Sequence, residues 1–190
     1  MPILLDATRR RLASRISTLD HAFDRHAVAG VQKRTDRSAM QEGLVSALWQ
    51  AWCAFCRETV LASALGTTTS QGTQVTSPYA GRTEMEICYV ARQLAQKLAV
   101  STIKSLGGRH LEPTWGDLKR LNLIVAGIAC SNQAQLLSSF GAALALQDLQ
   151  LCRNASAHLN KETIADVSAA RVKYQNTKFV HPSDAVFWVD

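Results

Sequence analysis

Leu44-Val45-Ser46-Ala47-Leu48-Trp49-Gln50-Ala51-Trp52-Cys53-Ala54-Phe55-Cys56 places apolar side chains around its whole circumference when wound as a helix. Extended to about Met40 on one side and through Val60 and Leu61 to Leu65 on the other, the segment has no continuous polar face to offer water. A helix of that kind must be covered on most sides, which makes it the expected centre of an all-α core. Cys53 and Cys56 give it a CxxC spacing, but no second ligand pair and no strand-helix-strand context accompany them. They read as two core thiols one turn apart.

Working outward, Leu5 to about Ala27 carries Leu5, Leu12, Ile16, Leu19 and Phe23 at helical spacing on one face. Arg9, Arg10, Arg11 and Arg15 occupy the other, a cluster that reads as a solvated face and less readily as a track for a phosphate backbone. Residues 30–38 are polar and read as a connector. On the far side, residues 66–82 are rich in Thr, Ser, Gln and Gly and read as a long loop. Thr83 and Glu86 then match a capping box that opens a helix buried along Ile87, Val90, Ala91, Leu94 and Leu98, and Gly107-Gly108 ends whatever helix remains.

Thr114 and Asp117 repeat the box spacing ahead of Leu118, Leu121, Ile124, Val125 and Ile128. Ser131-Asn132 reads as the cap of a short turn over 134–137, residues 138–141 as punctuation, and the stretch from about Ala142 to His158 as the next helix. Thr163 is read as the cap of a last helix with Ile164, Val167, Ala170 and Tyr174 in step. The tail over 177–190 holds Val180, Val186, Phe187, Trp188 and Val189, and is too apolar to stand free; it is expected to pack on the body or on a partner. Almost nothing alternates with period two, so the expectation is a single all-α domain over residues 1–190, a bundle of five or six helices.

The chain has 190 residues and a formal charge of +6, which suits a polyanionic partner without demanding one. Five cysteines, odd in number and set in apolar runs, are expected to be reduced thiols. No uninterrupted apolar run approaches the roughly 18 residues of a membrane span. Leu4-Leu5-Asp6 meets an acid and then arginines before an apolar leader could form. No membrane association, no cofactor and a cytoplasmic location are the expectations.

The chemistry-bearing stretch is Leu151-Cys152-Arg153-Asn154-Ala155-Ser156-Ala157-His158-Leu159-Asn160. Histidine titrates near neutrality and serves as general acid or base. Arginine offers a fixed fork of donors to phosphate oxygens. In a regular helix Asn154 and His158 share a face, whereas Arg153 and His158 are separated by roughly 500°, or about 140° around the axis. Either the helix unwinds near Leu159-Asn160 or a two-fold axis brings a second copy across a shared cleft. The remaining histidines, His21, His26, His110 and His181, show no paired acid in the sequence.

The run Leu149-Gln150-Leu151-Cys152-Arg153-Asn154-Ala155-Ser156-Ala157-His158 resembles the signature of the HEPN superfamily: an arginine, four to six residues and a histidine, with a polar residue often following the arginine. Here the spacing is four and the polar residue is Asn154. The match covers about Gln147 to Asn160; beyond it only the order of helices agrees. The resemblance implies a HEPN-like helical domain that forms a homodimer with a composite active site. Many such relatives are metal-independent endoribonucleases, acting as toxins or in antiphage defence. Carried onto matching positions, it makes His158 the acid/base, Arg153 the phosphate contact and Asn154 the supporting polar group, with RNA as substrate. The alternative it leaves open is a non-catalytic module that assembles with a partner protein, such as an antitoxin or a defence-system component. A helix-turn-helix use of Lys119-Arg120 lacks a short Gly-containing turn at the right place.

Overall fold

A computed structural model describes residues 4–28, 33–69, 71–143, 145–175, 177 and 179–187, with the backbone alone described at 28, 34, 186 and 187. The chain is all-α, with seven α-helices and one two-stranded hairpin among the described residues. No described helix is long and apolar enough to cross a membrane. Trp188 and Val189 of the apolar tail, and the 30–32 part of the expected connector, lie outside the described residues. Two compact units divide the chain: Met1–Ala13 with Trp52–Ala143, and Ser14–Ala51 with Leu144–Asp190. Helices α1 (Leu5–Val28) and α2 (Arg34–Leu65) contribute residues to both units.

In the first unit, the buried core comprises Cys56, Val60 and Ala64 of α2, Ile87, Cys88, Val90 and Ala91 of α3 (Glu84–Ala95), Leu121, Ile124 and Ile128 of α4 (Leu118–Ile128), and Phe140 of α5 (Gln133–Gly141). Thr83 caps α3 with the reciprocal box expected: its hydroxyl accepts the Glu86 N–H, and Glu86 accepts the Thr83 N–H at 2.8 Å. The cap of α4 is Asp117, not Thr114; its carboxylate accepts from Lys119 and Arg120 N–H at 3.0 and 3.1 Å. Residues 138–141 continue α5 instead of breaking it, because Phe140 is buried with its ring edge-to-face on Trp52 at 5.9 Å.

The region read as a loop contains the hairpin β1 (Thr67–Thr68) and β2 (Gln74–Val75). Gly66 takes φ +92, the left-handed conformation that ends α2 and turns the chain into β1. Ser131 holds the returning strand, donating its N–H to Thr76 O at 2.9 Å and accepting the Thr76 N–H on its hydroxyl at 3.0 Å.

In the second unit, Val45 and Trp49 of α2 are buried, as are Cys152 and Ala155 of α6 (Ala145–Ala157) and Val167 and Ala170 of α7 (Lys161–Ala170). A 3-10 turn over Pro182–Phe187 packs on α6 and α7. The Pro182 carbonyl accepts from the Cys152 thiol at 3.3 Å.

Candidate functional site

Cys152 and Ala155, one turn apart and both buried, fix the face that α6 presents to the interior. Arg153, Asn154 and Ser156 are therefore half-buried at its margin, while Ala157 and His158 reach solvent. Helical hydrogen bonding persists to His158, whose N–H donates to Asn154 O at 2.8 Å, and regular helix stops at Ala157. The stop is enforced from ahead. Asn160, not Thr163, is the N-cap of α7: its side chain accepts the Thr163 N–H at 2.9 Å, and the Thr163 hydroxyl donates to His158 O at 2.6 Å. The turn over 158–160 is thus pinned from both helices, and the His158 ring stands exposed at the junction.

That geometry carries a stability prediction. Asn160→Ala removes the acceptor for the first-turn N–H of α7 and is expected to cost about 1 kcal/mol, read as a lower urea midpoint with unchanged slope.

Arg153 Nη1 donates to Asn154 Oδ1 at 3.2 Å, so the asparagine holds the guanidinium. Arg153 and Ser156 line a groove of about 330 Å³ whose other wall includes Glu42 and Ser46 of α2. The Ser156 hydroxyl is buried with no hydrogen-bond partner among the described residues. His158 does not line this groove. Within one chain, then, Arg153 and Asn154 are joined by a side-chain hydrogen bond, and His158 follows one turn beyond Asn154. The adjacent Cys152 thiol is no nucleophile: burial, assisted by Asp184, pushes its pKa up to about 12.

One histidine set aside in the sequence proves to have company. His181 Nε2 lies 3.3 Å from Glu42 Oε1, and its Nδ1 lies 2.8 Å from the Ser183 hydroxyl, which in turn donates to Gln41 Oε1 at 2.9 Å. Serine, histidine and glutamate in this order have the membership of a hydrolytic triad. Ser183 is 0% exposed, however, so no substrate carbonyl reaches its oxygen. Asp184 closes the same turn by accepting from Val180 and His181 N–H at 2.9 Å each. The constellation fastens the C-terminal turn onto α2. The only local signal was Pro182-Ser183-Asp184, which is turn chemistry and does not point to Glu42.

Of the four arginines near the N-terminus, Arg9 and Arg10 pair with Asp6 at 3.1 and 3.2 Å, and Arg11 pairs with Glu58 at 2.7 Å. Among the described residues no group of three or more His, Cys, Asp or Glu side chains is placed to hold a metal ion. No family model matches the chain, and no curated protein and no solved structure matches it.

Proposed function

We propose that the chain is an endoribonuclease of the HEPN type, acting without a metal as a homodimer whose two Arg153–His158 motifs share one cleft, in a toxin or antiphage role. The observation that carries this reading is the division of labour at the end of α6. An asparagine-held guanidinium lines a groove, and an exposed imidazole stands at a pinned helix end outside that groove. One copy is then half a site, which a second copy completes.

In the reaction, one His158 takes the proton of the ribose 2′-OH, and the 2′-oxygen attacks the adjacent phosphorus. The bond to the 5′-oxygen breaks, and the leaving oxygen takes a proton from the second His158. The products are a 2′,3′-cyclic phosphate and a 5′-hydroxyl. Arg153 donates to the phosphoryl oxygens as charge grows on them, and Asn154 keeps its fork oriented. Flexible single-stranded or loop RNA suits this chemistry, because the sugar must reach in-line geometry.

The decisive assay incubates purified protein with structured RNA in EDTA and maps the ends. Wild type is expected to leave 5′-hydroxyl ends, and His158→Ala to lose about 100-fold or more in rate. Equal cleavage by the two proteins, or none by wild type, returns the chain to the non-catalytic alternative of a module that assembles with a partner.

A further inference from the structure

We infer a second site, in the first unit, for a small phosphate monoester carried on a neutral hydroxylated body. A cavity of about 470 Å³ lies between α2, the β hairpin and the N-terminal end of α5. Ligand pockets commonly span about 300–1,000 Å³, so it suits a molecule of sugar-phosphate or mononucleotide size. Its lining mixes neutral hydrogen-bonding side chains, including Thr59, Thr69, Gln74, Asn132 and Gln135, with the apolar Leu5, Phe55, Val75 and Leu136. Among the described residues Arg9 is the only charged side chain in the lining, and no carboxylate joins it.

Two buried polar atoms there have no partner among the described residues: Thr59 Oγ1, on a residue 6% exposed, and Asn132 Oδ1. Buried polar groups are nearly always satisfied, so two orphans on residues that line one cavity point to an absent acceptor for the Thr59 hydroxyl and an absent donor for the Asn132 carbonyl oxygen. The third observation is the start of α5, a helix of nine residues. Asn132 occupies the N-cap position but makes no capping bond; its amide instead donates to the Ser63 hydroxyl at 3.1 Å. The Ala134 and Gln135 N–H groups consequently donate to nothing among the described residues. Uncapped first-turn N–H groups at the positive end of a helix favour an anion.

Arg9 lines the same cavity, its guanidinium shared with Asp6 at 3.1 Å. The tetrahedral oxygens of a phosphate can take these dispersed donors together, while the Gln and Thr side chains suit hydroxyls on the body. Ser131 joins the hairpin to the start of α5 at this place, so the walls are tied to each other without a ligand.

The test is calorimetric titration of the full chain with ribose 5-phosphate, AMP, adenosine and inorganic phosphate. AMP or ribose 5-phosphate is expected to bind at least tenfold more tightly than adenosine or inorganic phosphate, and the stronger of the two assigns the body. Thr59→Val should lose tenfold or more in that affinity yet melt no lower than wild type, since it removes a buried hydroxyl that has no partner. Arg9→Gln, at an exposed position, should lose affinity as well and guards against a folding artefact. Equal weak binding of inorganic phosphate by all three proteins means an adventitious ion only and overturns the proposal, as does phosphate-ester binding that Thr59→Val leaves unchanged. RNA cleavage by Thr59→Val should match wild type, which separates this site from the one on α6.

Discussion

Arg57→Met is expected to lower the unfolding free energy by about 3 kcal/mol at pH 7, the range for a buried ion pair that loses one member. Arg57 donates through Nε and Nη2 to the two oxygens of Glu112 at 2.7 and 2.9 Å, and Nη2 also meets Glu84. Glu112 is 7% exposed, and Trp115 Nε1 gives it a further bond at 2.7 Å. Without the guanidinium, a carboxylate shut away from water keeps only the Trp115 indole N–H and the weak Cys88 thiol donor among the described residues. The double variant Arg57→Met/Glu112→Gln removes the stranded charge, and should recover part of the loss. Glu84→Gln, at a side chain 44% exposed, should cost under about 1 kcal/mol.

The pH dependence follows from the same contacts. Burial alone would raise the Glu112 pKa, but hydrogen bonds from Arg57 and Trp115 outweigh it and hold the carboxyl below its ordinary value. A group depressed in the folded state contributes stability that is fully present above its unfolded pKa and fades as pH falls through the folded one. Guanidinium melts of wild type and Arg57→Met should therefore be well separated at neutral pH and converge in acid. A gap that stays constant down to pH 3 would remove Glu112 from the account.

Why some of this was legible in the sequence and some was not comes down to range. The Thr83–Glu86 box needs only residues three apart, and it forms as read. The same spacing at Thr114 and Asp117 misleads, because Trp115 and Gly116 are buried and the Trp52 indole donates to Gly116 O at 3.1 Å. That long-range bond holds residues 114–116 out of the helix and moves the cap to Asp117. Phe140 likewise carries α5 through a run of serines and a glycine that reads locally as a break. At the α6 end the residue types were visible, and so was the angular mismatch between Arg153 and His158. The Asn154 bond to the guanidinium depends on side-chain rotamers that no spacing fixes. His181 and Glu42 are far apart in the chain and share no motif, so only the fold could introduce them.

If the site on α6 is shared between copies, His158→Ala subunits should poison wild-type ones. With wild type held constant and nine parts of His158→Ala exchanged into it by joint refolding, about nine in ten wild-type subunits acquire a mutant partner. Each mixed cleft has one imidazole where the reaction uses two, so cleavage should fall about tenfold, following the fraction of wild-type pairs. A site complete within one chain would instead keep full activity at every ratio, since wild-type subunits would work regardless of their partner. Arg153→Ala should poison less steeply, because a mixed cleft keeps both imidazoles and one guanidinium, and the phosphate still meets a cation there. A ranking in which His158→Ala and Arg153→Ala are equally inert in mixtures would place the whole catalytic set inside a single chain.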